Sequence, residues 1–168
     1  MVETEETDDG WYSLHDFRTI NWEKWQEDFE TTREKALQEF HTLLDKWQKT
    51  EDNKQGGHQL FSIVGQKFDI MFMFLRPEMK DLNDLKNEFN KTSIAHYMKP
   101  AYSFVPIIEK SSYTKPEINP YKNPEMLKKL YPTIPNSEYV CFYPMSKLRG
   151  ETNNWFTLEK RRKRKINV

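Results

Sequence analysis

The sequence predicts an α+β fold in which two helices cover one face of an antiparallel sheet. Apolar residues recur in steps of three and four over two stretches of the 168-residue chain, which is typical of amphipathic helices. Four shorter stretches are rich in aromatic and branched residues, which favours strands. The predicted order of these elements is β-α-β-β-α-β, the order of a ferredoxin-like unit.

The first strand and the first helix are predicted near the N-terminus. Trp11–Ile20 has the composition of a strand. The polar run Thr50–Gly57, which ends in two glycines, is predicted to terminate the helix that follows. Between these two stretches the apolar period predicts one continuous helix, whose core-facing stripe comprises Trp22, Trp25, Phe29, Ala36, Leu37, Phe40, Leu44 and Trp47.

The next two apolar runs are predicted to form a hairpin. They are His58–Gly65 and Phe68–Arg76, and the connection Gly65–Lys67 is short enough for a turn. The second run is apolar on both faces, as expected of a central strand.

The last helix and strand of the unit are bounded by prolines. Pro77 can start a helix, whose apolar side is formed by Leu82, Leu85 and Phe89. A fourth strand is predicted after Pro100, and Pro106 within it indicates an edge strand or a bulge. A sheet of this kind leaves its second face bare, and we expect a second copy of the unit to cover it.

These elements divide the chain into four regions. Residues 1–9 are an acidic tail, and residues 10–110 are the ferredoxin-like repeat. Residues 111–138 hold five of the nine prolines and show no clear period, so we interpret them as a crossover. Strand character returns at Tyr139–Met145, which predicts that residues 139–168 begin a second repeat and end in a basic tail.

Charge and composition exclude several classes of function. The formal net charge is +0, but Lys160–Lys165 carries six of the 26 basic residues, so the remaining body is mildly acidic. It offers no broad phosphate-binding surface, and we expect no nucleic-acid partner. The acidic N-terminus does not resemble a signal peptide, and the longest apolar run is too short to span a membrane. With Cys141 as the single cysteine, we expect a soluble cytoplasmic protein.

Familiar catalytic motifs are absent from the sequence. The four histidines have no metal-ligand spacing, and Cys141 alone forms neither a disulfide nor a cysteine-based zinc site. The chain has no glycine-rich phosphate loop and no nucleophile elbow. We therefore predict no metal site from the residues of this chain.

The stretch YVCFYPMSKLR at residues 139–149 carries an unusual set of side chains. In an extended segment, Tyr143, Met145 and Lys147 share one face, because strand side chains alternate. One interpretation is an ordinary aromatic anchor beside a lysine that reaches into solvent. The other is a site for a large, flat, anionic ligand that can be oxidised, with the phenol as a proton or electron donor.

Three long stretches together cover almost all of residues 10–158: GWYSLHDFR, IVGQKFDIMFMFLRPEMKDLNDLKNEFNK and NPYKNPEMLKKLYPTIPNSEYVCFYPMSKLRGETNNWF. In these stretches the chain resembles the Firmicutes-type coproheme decarboxylases, the haem-synthesis branch of the chlorite dismutase-like family. FLRPEM and YVCFYPMSK are specific. The resemblance implies two ferredoxin-like repeats per subunit, stacked as a dimeric α+β barrel, and a homopentamer.

The resemblance also implies a reaction. Its substrate is iron-coproporphyrin III, which also acts as the cofactor. Hydrogen peroxide is the oxidant, two propionates lose CO2, and haem b is the product. Tyr143 occupies the catalytic position, where a tyrosyl radical would remove hydrogen from a propionate. The substrate-binding segment is Tyr143, Pro144, Met145, Ser146 and Lys147, with Met145 against the ring and Lys147 on a propionate. Lys129 stands where close relatives have a propionate-binding arginine; it keeps the charge but not the bidentate fork.

The resemblance ends close to the C-terminus. After Arg162 the sequence no longer follows the family, and no histidine occurs beyond His96. The proximal histidine, the iron ligand, is expected in the missing C-terminal part, so the second repeat is only begun. A natural truncation, a frameshift and a fragment all account for this, and we expect the chain alone to be nearly inactive. The alternative hypothesis is a non-catalytic porphyrin-binding or oligomerisation module; another haem-dependent activity, such as chlorite conversion, is weaker.

Overall fold

The computed structural model describes residues 10–109, 124–135 and 137–145. The chain divides into two compact units, residues 1–136 and residues 137–168. Within the described residues, regular secondary structure lies in the first unit. Its strands are β1 (Tyr12–Ile20), β2 (Gly57–Ser62), β3 (Ile70–Arg76) and β4 (Met98–Phe104), and its helices are α1 (Trp22–Glu27), α2 (Glu30–Asp52), α3 (Met79–Asn90) and α4 (Pro124–Leu130), with a 3-10 turn at Ser93–His96.

The four strands form one antiparallel sheet in the order β2-β3-β1-β4. β1 and β3 occupy the centre, and Phe17 of β1 lies opposite Met71 of β3. This order and the alternation with helices confirm the predicted α+β ferredoxin-like fold. β3 is the central, doubly buried strand that its composition predicted, and it forms a hairpin with β2 through a connection longer than expected, residues 63–69.

The helices bury one face of the sheet through a cluster of aromatic side chains. Trp47 of α2 meets Phe74 of β3 edge-on, with 4.9 Å between ring centroids, and Phe40 meets Phe89 of α3 at 5.8 Å. Such edge-to-face pairs add to the free energy gained from burying the rings. Leu82, Leu85 and Phe89 are buried, which confirms the predicted apolar side of α3.

The predicted single helix is divided into α1 and α2, and this prediction was wrong. Asp28 and Phe29 adopt extended backbone angles between the two helices. The Asp28 carboxylate accepts hydrogen bonds from the Tyr97 hydroxyl at 2.6 Å and from Lys24 Nζ at 2.6 Å. A contact with Tyr97, distant in sequence, thus accompanies the break. Phe29, at the break, is 83% exposed, and Trp22 and Leu37 are also exposed, although the apolar period had assigned all three to the core.

β4 is an edge strand with an irregular register. It pairs with β1, and the register shifts between Phe17 and Arg18, which face Tyr102 and Pro100 respectively. Ala101 is therefore the extra residue of a bulge. An edge position or a bulge had been inferred from Pro106; both are present, but Pro106 lies beyond the end of the strand, which includes Pro100.

The predicted crossover is not devoid of structure. α4 (Pro124–Leu130) lies within residues 111–138, and Leu130 is buried. A proline at the first helical position is compatible with a helix start, because its missing N–H is not needed there. Residues 111–123 and residue 136 of this region lie outside the described residues.

The second face of the sheet is bare only in part. Met71 and Leu75 are each 1% exposed, although they point away from the helices. The Phe17 ring packs against Phe68 at 4.9 Å, and the Ile134 side chain covers the sheet near Gly57. The predicted cover by a second copy of the unit is not tested by these contacts.

Candidate functional site

The catalytic segment predicted from the sequence is highly exposed. Residues 137–145 contain neither helix nor strand, so the strand expected at Tyr139–Met145 is not formed there. Tyr143 is 69% exposed and Met145 is 84% exposed, and Pro144 between them is also exposed. The phenol and the thioether are therefore accessible to a ligand from solvent. A strand needs a partner for its backbone groups, which local composition cannot supply.

The other predicted binding residues are distributed differently. Ser146 and Lys147 lie outside the described residues. Lys129 is exposed in the last turn of α4 and belongs to the first unit, whereas Tyr143 and Met145 belong to the second. Four of the predicted residues, Lys129, Tyr143, Pro144 and Met145, are thus individually accessible to solvent.

The last residue of α4, Leu130, is bonded to Trp11, the residue that precedes β1. The Trp11 N–H donates to the Leu130 carbonyl at 3.1 Å, and the Trp11 indole meets the Tyr131 ring edge-on at 5.8 Å. Lys129 immediately precedes the buried Leu130, so its backbone is held next to this contact. A cation near a helix C-terminus also interacts favourably with the helix dipole.

A buried ion pair on β1 was not predicted from the sequence. Arg18 is 2% exposed and its Nε donates to Asp16 Oδ2 at 2.8 Å. Its other nitrogens donate to Asn90 Oδ1 and to the Met98 carbonyl, and the guanidinium stacks 4.4 Å from the centre of the Phe89 ring. Burial raises the pKa of Asp16, and the neighbouring Arg18 charge opposes this rise. The sequence held one signal of this pair. Side chains alternate along β1, so Asp16 and Arg18 fall on the same face of the strand, the one that the helices cover.

A second charged cluster lies where α2, β2 and β3 meet. His58 Nδ1 lies 3.0 Å from Glu51 Oε2, and the His58 ring contacts Trp47 edge-on. Burial lowers the pKa of His58, and the positive charge of Arg76 lowers it further, whereas the Glu51 carboxylate raises it. Arg76 donates to the carbonyl oxygens of Gly57 and Leu75, and burial lowers its pKa. These bonds tie the cluster to the sheet backbone.

The His58 cluster predicts a loss of stability in mild acid. The pKa of His58 in the folded state lies below its ordinary value of 6.5, so His58 binds a proton more readily in the unfolded chain than in the folded protein. The stability present above about pH 6.5 is therefore expected to fall as the pH drops through the folded-state value. Denaturant titrations at several pH values should show a shallower pH dependence for His58→Gln. The exposed His41 provides the control, and an equal change in His41→Gln would contradict the assignment.

Among the described residues of the first unit, two clefts lie away from the predicted site residues. One, of about 430 Å³, is lined by side chains of α2 and α3 and by Arg76. The other, of about 370 Å³, is lined mainly by apolar residues of β2 and by Ile20, Trp22 and Ile70. Neither includes Lys129. The part of the chain that the structure describes holds no group of three or more histidine, cysteine or acidic residues suited to a metal ion.

Comparison with known proteins identifies a family and a solved structure to which the chain is similar. A family model described as chlorite dismutase matches residues 33–166. A solved structure from Thermus thermophilus, described as a novel heme-binding protein, is 34% identical with a TM-score of 0.87. That match covers 94% of this chain and 64% of the Thermus chain, so this chain spans less than two thirds of its neighbour's length.

More distant structures agree on the fold alone. A mutant chlorite dismutase from Candidatus Nitrospira defluvii matches with 15% identity and a TM-score of 0.52, over 64% of this chain and 44% of that chain. Among the described residues, no helix has the length and apolar character needed to cross a membrane.

The homopentamer expected from the sequence stays a prediction.

Proposed function

Since the chain belongs to the chlorite dismutase family, we propose that it functions in coproheme decarboxylation, the oxidative removal of two propionate carboxylates that converts iron-coproporphyrin III to haem b. The observation that carries this proposal is the exposure of Tyr143 and Met145 within the sequence YPMSK. Their exposure leaves this phenol and this thioether open to contact with a ligand. The Thermus neighbour, described as heme-binding, supports a porphyrin as that ligand.

Taken one by one, the described residues have side chains suited to a carboxylate-bearing porphyrin. Met145 and Pro144 offer an apolar surface to the ring, as a flexible thioether adapts to flat ligands. Lys129 is exposed and can bind a propionate as a point charge. Lys147 is proposed for a second propionate on the basis of its position in the motif. The iron of the bound substrate, together with peroxide, supplies the oxidising equivalents.

Tyr143 is proposed to carry the hydrogen transfer. Its phenol O–H loses one electron and one proton, and the resulting tyrosyl radical takes a hydrogen atom from the propionate β-carbon. Loss of a second electron then releases the carboxylate as CO2 and leaves a vinyl group. One hydrogen peroxide accepts the two electrons and, with two protons, becomes two water molecules, so each decarboxylation is balanced, and two such cycles give haem b.

Product analysis tests this proposal. The protein is mixed with iron-coproporphyrin III and peroxide, and the products are followed by mass spectrometry. No position in this sequence matches the family's iron-binding histidine, so the reaction is run with and without imidazole as an external ligand. We expect a three-propionate intermediate and then haem b when imidazole is present. A protein that binds no iron-coproporphyrin III, either with imidazole or without it, would refute the proposal.

A non-catalytic porphyrin-binding module is the second candidate. The observation that favours it is the description of the Thermus neighbour, which names heme binding and no reaction. Stable absorption by the bound porphyrin, with no change in its mass after peroxide and imidazole are added, is the outcome that this candidate predicts.

A further inference from the structure

Three backbone segments meet at the beginning of β1. The Trp11 N–H donates to the Leu130 carbonyl at 3.1 Å, and the Ile108 N–H donates to the Trp11 carbonyl at 3.0 Å. One residue thus connects the end of α4 to the segment that follows β4. Leu130 is 2% exposed, so the end of α4 is also anchored by apolar burial. We call the contacts among Gly10, Trp11, Ile108, Leu130 and Tyr131 the α4 junction.

The α4 junction depends on the absence of a side chain at position 10. A Cβ atom on Gly10 would overlap the carbonyl oxygen of Ile108 and would lie 2.9 Å from the carbonyl oxygen of Leu130. Both neighbours are backbone atoms and cannot turn aside as a flexible side chain would. Any larger residue at this position must therefore displace the end of α4 or the 108 segment.

The junction fixes the backbone of Lys129, while the Lys129 side chain is exposed. Lys129 is exposed and directly precedes the buried Leu130. Within residues 10–109, 124–135 and 137–145, its ammonium group makes no ion pair with an acidic side chain. The adjacent Tyr131 ring packs edge-on against the Trp11 indole, which limits rotation of this last turn.

We propose that the α4 junction is a positioning device that holds Lys129 where a porphyrin carboxylate binds. This inference rests on the proposed function and assigns a role to Gly10 and Trp11, which do not touch the ligand themselves. A lysine carries its charge on a flexible stem, so a fixed backbone reduces the freedom that is lost when the charge pairs. Displacement of α4 should therefore weaken porphyrin binding when Lys129 is present and have little effect when Lys129 is replaced.

A double-mutant cycle tests the positioning role. Iron-coproporphyrin III is titrated into the full chain and into Gly10→Ala, Lys129→Ala and the double variant. We expect Gly10→Ala to weaken binding by roughly fivefold or more when Lys129 is present, and by less than about twofold in the Lys129→Ala background. Gly65→Ala is the matched control, because no atom lies within 4 Å of a Cβ at Gly65.

A second ligand separates positioning from general damage to the fold. The tetramethyl ester of iron-coproporphyrin III has no carboxylates, so Gly10→Ala is expected to leave its affinity unchanged. Trp11→Leu removes the ring contact with Tyr131 but keeps the backbone hydrogen bonds, and it provides a milder variant if Gly10→Ala does not fold. It is expected to give the same pattern with a smaller effect.

The outcomes distinguish this inference from the proposed function. Equal losses by Gly10→Ala in both backgrounds, or for the ester as well, would overturn the positioning role while leaving porphyrin binding in place. Equal affinities of the wild-type protein and Lys129→Ala would also overturn it. A wild-type protein that binds neither porphyrin would refute the proposed function, and the inference with it.

Discussion

Replacement of Tyr143 by phenylalanine is expected to reduce formation of the three-propionate intermediate and of haem b by at least about a hundredfold. Phenylalanine keeps the ring but has no O–H, so it can neither form the tyrosyl radical nor accept the propionate hydrogen. Because Tyr143 is 69% exposed, the missing hydroxyl should cost the fold little. The measurement is the rate of product formation by mass spectrometry, with peroxide and imidazole present.

The same variant should leave porphyrin affinity nearly unchanged. Tyr139→Phe is the matched control, since Tyr139 is 80% exposed in the same segment and undergoes the same chemical change. The two variants should therefore bind iron-coproporphyrin III alike and differ in product. Unaltered turnover in Tyr143→Phe would contradict the radical assignment. If neither variant nor the wild-type protein forms product while all bind the porphyrin, the binding-module hypothesis is supported instead.

The sheet was predictable because its signals are local. β3 is apolar on both faces, and the strands around it are rich in aromatic and branched residues, so the strands and the central place of β3 follow from composition. The helix break was not predictable, since the Asp28 carboxylate meets Tyr97, which is 69 residues away in sequence. The apolar period continued through a position where the backbone turns, and Phe29 was therefore assigned to the wrong environment.

The site could be predicted only through resemblance. Tyr143 and Met145 form no local pattern that requires a ligand, and their exposure becomes informative once a porphyrin is considered. Lys129 was located by its position in the matching stretch, while the surrounding region had suggested no regular structure. The role of Gly10 could not be inferred from sequence, because glycine is common before strands and its meaning depends on the carbonyl oxygens of Ile108 and Leu130.

Replacement of Arg18 by methionine is expected to lower the free energy of unfolding by roughly 3–5 kcal/mol at pH 7. The substitution leaves the buried Asp16 carboxylate without its partner and removes the donors to Asn90 and Met98. Denaturant titration measures the change. Lys24→Met is the control, since Lys24 forms an exposed pair with Asp28; pairs of that kind contribute less than about 1 kcal/mol.

The pH dependence identifies Asp16 as the origin of this loss. Burial already raises the pKa of Asp16 in the folded protein, and Arg18 opposes that rise. Without Arg18 the folded-state pKa should rise further above the ordinary value of 3.8, so the folded variant takes up a proton that the unfolded chain does not bind. The variant's deficit should therefore shrink as the pH falls from 7 through the raised folded-state pKa. A deficit that is independent of pH would contradict this origin.

The double variant Asp16→Leu/Arg18→Met separates the cost of an unpaired charge from the value of the pair. Buried ion pairs replaced by apolar residues of similar size are often neutral or stabilising, because desolvation offsets most of the attraction. The raised pKa of Asp16 indicates that burial outweighs the pairing even with Arg18 present. We therefore expect the double variant to have a free energy of unfolding at least equal to that of the wild-type protein. A double variant as unstable as Arg18→Met alone would show instead that the hydrogen bonds to Asn90 and Met98 carry the stability.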